Sequence, residues 1–314
     1  MPVVSVLMPV YNAERYVGEA VGSILAQTIS DFEFIVVDDG STDRSGELLS
    51  ALAAADRRIR LIRRPNTGYL QALNEGLGYC SGEFVARMDA DDVSLPERFE
   101  RQIGYLREHP ECLVVGSGML RIDADGDPIC EEPMPTAHEE IEARLLQGLG
   151  ALPHPSAMIR REAIVAAGGY REAYYGAEDH DLWLRLAESG RLANLPEPLV
   201  KCRIHPENFT FVNEDRTRLV LAASVADAYR RRGQACPQPQ VELSPALTGI
   251  DRSRAWTRSA IYAGHYGTAR KQALAIWKQS PGRWDSWVLL VHALLGSRAG
   301  PLRRFYRRLR GAGS

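Results

Sequence analysis

The 314-residue chain has few of the features that mark specialised classes of protein. Its five cysteines form no Cys-x-x-Cys pair and their number is odd, so we expect reduced thiols rather than a disulfide framework. The segment MPVVSVLMPVYN at the amino terminus has no basic stretch and no long apolar stretch, which predicts that a signal peptide is absent. The longest apolar stretch, Trp287 to Leu295, is interrupted by His292 and is far shorter than the roughly 20 residues of a membrane span. We therefore expect a cytoplasmic protein that attaches at most to the inner face of the cell membrane.

The charges are unevenly distributed along a chain of otherwise average composition. A content of 45% hydrophobic and 25% charged residues is typical of a globular protein and excludes a disordered or collagen-like chain. Residues 1–210 contain 20 Lys and Arg against 34 Asp and Glu, a net charge of −14. Residues 211–314 contain 18 against 6, a net charge of +12. This division predicts that the acidic part and the basic part have different functions.

The first hundred residues alternate between strand and helix patterns. Short apolar runs predict strands at Val3–Val10, Phe32–Val37, Ile59–Ile62 and Glu83–Met88. The segments between them place apolar residues at helical spacing. Strands separated by helices in this way predict βαβ units, and hence an α/β fold with a mostly parallel sheet flanked by helices.

The rest of the chain is less regular at first and then helical. Short strands are expected at Leu113–Val115, Met119–Ile122 and Leu199–Ile204, with a helix at Asp179–Ser189 between the second and the third. Residues 213–233 predict a helix, and the proline-rich segment 236–248 predicts a linker. Beyond the linker, helices are expected at Arg254–Tyr266, Thr268–Gln279 and Trp284–Leu295.

Polar side chains follow three of the predicted strands. They form the clusters Tyr11-Asn12, Asp38-Asp39 and Asp89-Ala90-Asp91-Asp92. Each cluster by itself is compatible with an ordinary solvated turn. Because the carboxyl ends of parallel strands meet at one edge of the sheet, where such folds bind ligands, we expect the three clusters to form one site.

The Asp89–Asp92 cluster carries the clearest chemistry. Asp89 and Asp91 are two residues apart, so both can face one cleft if the chain is extended, and their oxygens suit Mg²⁺ or Mn²⁺. Carboxylates placed together raise each other's pKa unless a cation is present. The alternative is an acidic region that caps a helix starting near Pro96. Asp92 suits that role, but it leaves Asp89 and Asp91 unexplained.

Six segments together resemble a known enzyme family, in the family's order and spacing. They are SVLMPVYNAERYV, FIVVDDGSTD, NTGYLQALNEG, ARMDADD, GAEDHDLWLRL and CRIHPENFT. Over roughly residues 3–212 the chain is similar to glycosyltransferase family 2. The resemblance implies a Rossmann-like GT-A domain at 1–212, followed by an α-helical extension at 213–314. It also implies an inverting, metal-dependent transfer of sugar from a nucleotide-sugar, for which a UDP-sugar is expected. The acceptor would be a hydroxyl of a glycan or of a lipid-linked molecule, and the setting would be cell-surface polysaccharide biosynthesis.

The resemblance assigns a nucleotide-binding role to residues from three motifs. Asp39 matches the carboxylate that recognises the nucleotide base. Tyr11 and the strand end at Pro9 would line the same pocket. Asn66 and Gly68 match the motif that closes over the nucleoside.

The metal site is carried over from two further motifs. Asp89 and Asp91 match the DxD motif, which holds Mn²⁺ or Mg²⁺ against the donor diphosphate, so Asp89 also counts as nucleotide-binding. His205 matches the histidine of the late RxH motif and is expected to be a third ligand. A neutral imidazole can take that role, although a single histidine is also often structural.

The catalytic base is expected at Asp179, which matches the acid of the family's ED motif. A carboxylate opposite the leaving group can remove the proton of the acceptor hydroxyl. Acids are also favoured at a helix start for electrostatic reasons, and Asp181 is a competing candidate one turn away. His154 and Glu178 are expected on the acceptor side, although for His154 a purely structural hydrogen-bonding role fits equally well. Arg87 is a further candidate without an assigned role.

The carboxyl-terminal residues 298–314 contain six arginines and no acid. Leu302, Phe305, Tyr306 and Leu309 are interleaved with them at helical spacing. This pattern predicts either an amphipathic helix on an anionic membrane surface or a solvated terminus. No nucleic-acid recognition motif accompanies the charge, so nucleic acid is not an expected partner.

Two other kinds of function are left open by the residues. A sugar nucleotidyltransferase would have a glycine-rich, basic triphosphate loop near the amino terminus, where this chain has Pro9-Val10-Tyr11-Asn12-Ala13. A non-catalytic scaffold that binds a nucleotide-sugar would leave the set of carboxylates without a purpose. A dinucleotide oxidoreductase is disfavoured because no GxGxxG follows the first strand.

Overall fold

The computed structural model describes residues 1–237 and 249–299. Most of the predicted linker at 236–248, and the basic tail from residue 300 onward, lie outside the described residues. The chain divides into two compact units. The first comprises Met1–Met119, Glu132–Arg203 and Glu207–Leu243, and the second comprises Leu120–Glu131, Ile204–Pro206 and Ser244–Ser314.

The strands form one mixed sheet. They are β1 (Val4–Val10), β2 (Phe32–Asp38), β3 (Ile59–Arg63), β4 (Phe84–Arg87), β5 (Val93–Ser94), β6 (Cys112–Ile122), β7 (Pro128–Glu132), β8 (Met158–Arg160) and β9 (Arg191–Arg203). Their order is β3-β2-β1-β4-β8-β6-β9-β5, and β7 pairs with β6. The β3-β2-β1-β4 part is parallel, whereas β8 runs antiparallel to both β4 and β6. The predicted parallel sheet is therefore confirmed for its first four strands, and antiparallel pairing follows from β8 onward.

The register of the parallel strands places the predicted site. Val10 pairs with Asp38 at the ends of β1 and β2, and Leu7 pairs with Arg87 at the end of β4. The segments that follow these three strands therefore leave the sheet at the same edge, as the sequence predicts.

The helices surround this sheet or follow it along the chain. They are α1 (Val17–Leu25), α2 (Ser45–Ala55), α3 (Tyr69–Tyr79), α4 (Arg98–Glu108), α5 (His138–Leu146), α6 (Arg161–Ala166), α7 (Glu178–Ala187), α8 (Phe209–Val212), α9 (Glu214–Arg231), α10 (Gly249–Ala263), α11 (Tyr266–Gln279) and α12 (Trp284–Leu295). The predicted bounds of α12 are confirmed, and α10 starts five residues earlier than the prediction. Within the described part of the chain, we find no helix with the length and apolarity needed to cross a bilayer.

The prediction of two separate short strands between residues 113 and 122 is wrong. The segments at 113–115 and 119–122 belong to the continuous strand β6. The intervening Gly116 disrupts the apolar pattern for a packing reason, since a Cβ there would lie 2.3 Å from Asn194 Oδ1 on β9. The close approach of two strands thus removes the side chain that the sequence pattern would need.

Both faces of the parallel strands are buried. Val4, Val6 and Met8 of β1 point into a core that α1 and α4 cover. Leu7 of the same strand points into a second core, which α3, α7 and α9 help to form. Burial on both faces explains why β1 is a continuous apolar run rather than an alternating one.

The first compact unit continues beyond residue 212. Helix α9 belongs to the first unit, because Val225 and Ala228 are buried in the core that also contains Leu182 of α7. Arg231 near the end of α9 forms an ion pair with Glu188, which follows α7. The first unit therefore extends past α9.

The second unit is tied together by a lysine. The ammonium of Lys271 on α11 lies 2.6 Å from Asp123, 3.0 Å from Asp125 and 2.5 Å from Asp127, in the loop between β6 and β7. These carboxylates raise the pKa of Lys271, although burial acts in the opposite direction. The three acids are thus compensated within the unit.

Candidate active site

Three aspartates lie together just after β4. One carboxylate oxygen from each of Asp89, Asp91 and Asp92 lies within 4.8 Å of the other two. Burial and the charge of Asp91 raise the pKa of Asp89, while Arg87 lowers it. The predicted pair Asp89 and Asp91 is therefore a compact cluster of hard oxygen donors.

The expectation that Asp92 caps a helix near Pro96 is wrong. Helix α4 begins at Arg98, with Glu97 at the capping position. Asp92 is buried and accepts a hydrogen bond of 2.8 Å from the backbone N–H of Arg203 on β9. It joins the acidic cluster to β9.

Arg87 lies beneath this cluster and is almost completely buried. Its guanidinium donates to Asp89 Oδ1 at 2.6 Å, to the Tyr69 hydroxyl at 2.7 Å and to the carbonyl of Met88. Only 1% of its side chain is exposed, compared with 32% for Asp89. Arg87 therefore holds Asp89 in place from the protein side and leaves its outer side accessible.

A second buried arginine supports the end of β4. Arg98 donates to the carbonyls of Arg87 at 2.9 Å and Ala157 at 3.2 Å, and to Gln102 Oε1 at 3.0 Å. Since these carbonyls belong to β4 and to the residue before β8, Arg98 joins the two strands immediately behind the acidic cluster. Sequence reasoning missed this residue, because an arginine at the start of a helix rich in charged residues looks solvated.

His154 belongs to a buried hydrogen-bond chain. Its Nδ1 lies 3.1 Å from the hydroxyl of Tyr69, and its Nε2 lies 2.9 Å from the hydroxyl of Tyr170. Burial and the nearby charge of Arg87 hold the pKa of His154 well below its usual range, so the ring is neutral. With both nitrogens bonded to tyrosines, the geometry favours the structural role over contact with an acceptor.

Glu178 and Asp179 start α7 and face the same region. Burial, and then the charge of Asp179, raise the pKa of Glu178 to about 7. Burial also raises the pKa of Asp179, and the negative charge of Asp89 adds to this increase. The carboxylates expected to bind metal and to remove a proton therefore interact across one cleft.

Asp181 lies outside this cleft. It is fully buried and forms ion pairs with Arg171 and, at 2.9 Å, with Arg185. Arg185 also donates to the carbonyls of Ala167 and Gly169. These contacts account for Asp181 as a structural residue of α7, which leaves Asp179 as the available aspartate.

Asp39 organises the nucleotide side of the predicted site. It is buried and accepts backbone hydrogen bonds from Gly68 at 2.9 Å and Thr67 at 3.3 Å. Arg64 lies 3.1 Å from it and also pairs with Glu75 at 2.9 Å. The Asp39 motif and the Asn66–Gly68 motif are thus directly bonded to each other.

The remaining nucleotide-binding candidates surround Asp39. Gly40 approaches the Asn66 backbone so closely that a Cβ would lie 2.5 Å from the Asn66 nitrogen, and its φ is +72°. Pro9 is buried in β1, whereas Tyr11 just beyond the strand is half exposed. Tyr11 can therefore offer its ring to a ligand, while Pro9 can contribute only to the shape of the pocket floor.

An aromatic segment adjoins the acidic cluster and was not expected from the sequence. Asn208 donates to Asp91 Oδ2 at 3.2 Å. The ring of the next residue, Phe209, stacks on Tyr69 at 6.4 Å and meets Tyr175 edge-on at 5.4 Å between centroids. Burial raises the pKa of Tyr175, and the charges of Glu178 and Asp39 add to this increase, so the ring lies near both carboxylates.

His205 lies two residues after the end of β9 and belongs to the second unit. The three aspartates belong to the first unit. Within the described residues, the metal-ligating atoms that lie together are those of the aspartates. His205 as a third ligand stays a prediction.

The donor set fits a divalent cation of the hard class. Two or three carboxylate oxygens within a few ångströms suit Mg²⁺ or Mn²⁺, which often bind one or two carboxylates together with substrate phosphates. Arg87 supplies one positive charge, and that charge also acts on Glu178 and Asp179. A further cation would relieve the repulsion that raises the pKa of Asp89.

Known proteins are similar to this chain in sequence. The family described as Glycosyl transferase family 2 matches residues 5–166. The putative glycosyltransferase EpsE of Bacillus subtilis is 38% identical over 219 residues, which cover 66% of this chain and 75% of that protein. The amylovoran biosynthesis glycosyltransferase AmsE of Erwinia amylovora is 34% identical over 205 residues, which cover 63% of this chain and 75% of that protein.

Solved structures resemble the chain over nearly its whole length. TarS of S. aureus in complex with UDP aligns with a TM-score of 0.56 and 19% identity, covering 94% of this chain and 92% of that chain. The mannosyltransferase PcManGT of Pyrobaculum calidifontis, in complex with GDP-Man and Mn²⁺, aligns with a TM-score of 0.53 and 20% identity, covering 97% and 83%. At these identities the likeness shows the fold, which is of the GT-A type. Together with the acidic cleft at the sheet edge, these matches show that the chain belongs to glycosyltransferase family 2 and is a glycosyltransferase.

Proposed function

We propose that the protein is an inverting, metal-dependent glycosyltransferase that moves a sugar from a UDP-sugar to a hydroxyl of a glycan or lipid-linked acceptor. The observation that carries this proposal is the compact set of aspartate oxygens just after β4, to which Asp179 lies near enough for the charge of Asp89 to help raise its pKa. A role in cell-surface polysaccharide biosynthesis is supported by AmsE, a relative that is named for amylovoran biosynthesis.

The nucleoside binds at the ends of β1 and β2 in this proposal. Asp39 recognises the base, and the exposed ring of Tyr11 packs against it. The Asn66–Gly68 segment closes over the nucleoside, and its bonds to Asp39 keep the pocket in shape without a ligand. UDP is the preferred nucleotide because the TarS structure contains it, and GDP is the alternative because the PcManGT structure contains GDP-Man.

Asp89 and Asp91 hold Mn²⁺ or Mg²⁺ in this proposal, with His205 as a further ligand. The support is the compact set of oxygens and the Mn²⁺ in the PcManGT structure. When bound, such an ion would neutralise the charge that develops on the departing nucleoside diphosphate. Arg87 keeps the Asp89 carboxylate oriented for this role through a bond of 2.6 Å.

Asp179 is the base that accepts the proton of the acceptor hydroxyl. Its raised pKa suits this task, because a base is most effective when its pKa lies near the working pH. Removal of the proton strengthens the nucleophile as the bond between the sugar and the diphosphate breaks, and attack from the opposite face inverts the anomeric centre. Glu178 contributes on the acceptor side, where a pKa of about 7 allows it to donate or accept a hydrogen bond near neutral pH.

The aromatic segment completes the acceptor side. Phe209 has an exposed ring beside Tyr69 and Tyr175, and a sugar can pack its apolar face against such a ring. Attachment of residues 298–314 to the inner face of the membrane is part of the same proposal, because a lipid-linked acceptor is held at that surface.

Two substitutions test the proposal in one experiment. Asp179→Asn should keep Mn²⁺-dependent UDP binding in calorimetry but lower sugar transfer by about 10³-fold or more, because the base is lost. Asp91→Ala should instead abolish the Mn²⁺-dependent part of UDP binding. Glu47→Gln, on the exposed side of α2, is the control and should change neither measurement. Unchanged turnover in Asp179→Asn would remove this residue from the mechanism, and unchanged binding in Asp91→Ala would remove the metal site.

A further inference from the structure

Helix α12 has an apolar surface where a surface helix normally has a polar one. Its exposed residues are Trp284, Trp287, Val291, Leu294 and Leu295. Helical spacing of 100° per residue places these five within an arc of about 100°. The side that packs against the rest of the unit contains Ser286, Leu289 and Ala293 instead. The larger apolar side chains thus face outward.

The exposure is substantial for residues of this size. Trp284 is 75% exposed and Leu294 is 58% exposed. Single exposed apolar residues are ordinary, but a continuous row along three turns of one helix marks an interaction surface. The row contains no charged residue, so it has no feature that would favour contact with water.

The outward face is not a sign of a loosely packed helix. The indole of Trp287 meets Trp277 of α11 edge-on at 5.2 Å between centroids and donates to the carbonyl of Pro281 at 2.8 Å. Arg270 of α11 donates to the carbonyl of Ala293 at 3.0 Å. These contacts fix the rotation of α12 about its own axis. Trp287 meets α11 on one side of its ring, and it stays 44% exposed like the rest of the row.

Positive charge surrounds the apolar row. Residues 249–299 contain eight Lys and Arg and two acids, a net charge of +6. The two acids, Asp251 and Asp285, both form ion pairs with the buried Arg254, at 3.0 Å and 3.5 Å. Exposed Arg283 precedes the helix and shares Asp285 with Arg254, at 3.1 Å, and exposed Arg298 follows the helix. The chain beyond residue 299 adds five arginines and no acid.

We propose that the outward face of α12 inserts into the interfacial region of an anionic lipid bilayer. A row of tryptophan, valine and leucine enters the boundary between headgroups and acyl chains, and the flanking arginines contact the anionic headgroups. At 12 residues the helix is about 18 Å long, which suits a position in the plane of the membrane rather than across it.

The net positive charge favours an anionic bilayer over the other partners that could cover this face. A second copy that presented the same face would bring two copies of residues 249–299 together, each with a net charge of +6. Residues 300–314 would add five arginines to a surface on which Asp251 and Asp285 are already paired. An anionic bilayer supplies both the apolar phase and the opposite charge. The transfer reaction plays no part in this inference, and the following experiment needs neither sugar donor nor metal.

The experiment measures binding of the full-length protein to vesicles by co-sedimentation. The double variant Trp284→Gln, Leu294→Gln changes two exposed residues, so the fold should persist. Leu219→Gln on α9, at a residue that is also strongly exposed, is the matched control. We expect the wild type and the control to bind vesicles that contain phosphatidylglycerol, with little binding to pure phosphatidylcholine. The double variant should bind at least about tenfold more weakly, because two large apolar side chains no longer enter the lipid.

Vesicles with brominated acyl chains give a second readout, since bromine quenches tryptophan that enters the acyl region. Quenching in the wild type that decreases in the double variant supports insertion of α12. Equal binding of the two proteins would overturn the proposal and assign membrane attachment to residues 300–314. Failure of the wild type to bind would overturn it as well, as would a dimer in light scattering that the double variant converts to a monomer.

Discussion

Arg87 offers the sharpest test of how the site is held together. Its guanidinium donates to Asp89, Tyr69 and the carbonyl of Met88. Arg87 is buried and stands two residues before Asp89 in the chain. Arg87→Met keeps most of the length and the apolar stem of the side chain but removes the charge and all of its donors. The Asp89 carboxylate would then lose its partner on the protein side.

The expected loss of stability follows from the burial of this pair. Removing one partner of a buried ion pair costs about 3–5 kcal/mol, because the other charge is left uncompensated. Asp89 is 32% exposed, so water can reach its carboxylate, and we expect the lower end of that range, about 3 kcal/mol. Arg87→Lys keeps the charge but cannot span the same acceptors, so a smaller loss of about 1–2 kcal/mol is expected.

Urea denaturation followed by tryptophan fluorescence measures these differences. Arg101→Met is the matched control, because Arg101 forms an ion pair of similar length, 2.7 Å, with Glu197 on the protein surface. Exposed pairs contribute little, so this variant should unfold like the wild type. Arg87→Met should also weaken Mn²⁺-dependent UDP binding at neutral pH, since loss of the cation raises the pKa of Asp89 further.

One result would refute this reasoning. If Arg87→Met unfolds within about 1 kcal/mol of the wild type and binds UDP and Mn²⁺ normally, Arg87 neither compensates Asp89 nor positions it. A loss of stability with normal binding would separate the two roles and leave Arg87 as a structural residue.

Two further predictions concern pH and backbone geometry. The pKa of Glu178 is about 7 in the folded protein, compared with an ordinary value of 4.5. The contribution of Glu178 to the free energy of unfolding is therefore fully present below about pH 4.5 and is lost as the pH rises through 7. The total loss is about 3 kcal/mol. Glu178→Gln should therefore reduce the difference between urea unfolding free energies at pH 5 and pH 8, and a variant as pH-sensitive as the wild type would contradict this. Gly40→Ala should destabilise the protein by about 2 kcal/mol or more in the same assay, because its Cβ would meet the Asn66 backbone at a positive φ. Gly18→Ala in α1, where a Cβ meets nothing within 4 Å, is the control and should be neutral or stabilising, whereas equal effects of the two alanines would argue against the close approach at Gly40.

The parallel half of the fold was predictable because its signals are local. The apolar runs of β1, β2 and β4 and the helical spacing between them are short-range patterns, and parallel strands connected by helices have one dominant arrangement. That arrangement brings the carboxyl ends of these strands together. The positions of Asp39, Asp89 and Asp91 at one sheet edge therefore follow from the sequence.

The antiparallel half was not predictable in the same way. The three residues of β8 lie between β4 and β6, and they show no periodicity that distinguishes them from a loop. Their pairing depends on strands 43 or more residues away, as in the register of Val115 with Met158. Long-range pairing of this kind leaves little trace in a local pattern.

The partners of the charged residues were decided by the tertiary structure. Arg87 is an unremarkable residue at the end of an apolar strand, and its importance depends on Tyr69 and Asp89 lying within reach of one guanidinium. Asp92 was expected near a helix start and instead accepts from Arg203, 111 residues away. The sequence leaves His154 open between two roles, and the hydroxyls of Tyr69 and Tyr170 on its two nitrogens favour the structural one.

Helix α12 shows the same division between local pattern and tertiary contact. The sequence determined that Trp284–Leu295 is a helix, because apolar residues without glycine or proline favour one. It did not determine which side of that helix is buried, since apolar residues occur on most sides. Contacts with Arg254 of α10 and Arg270 of α11 accompany the burial of Ser286 and Ala293, whereas Trp284 and Trp287 stay exposed. Local preferences set the secondary structure here, and contacts between residues distant in sequence set what each face meets.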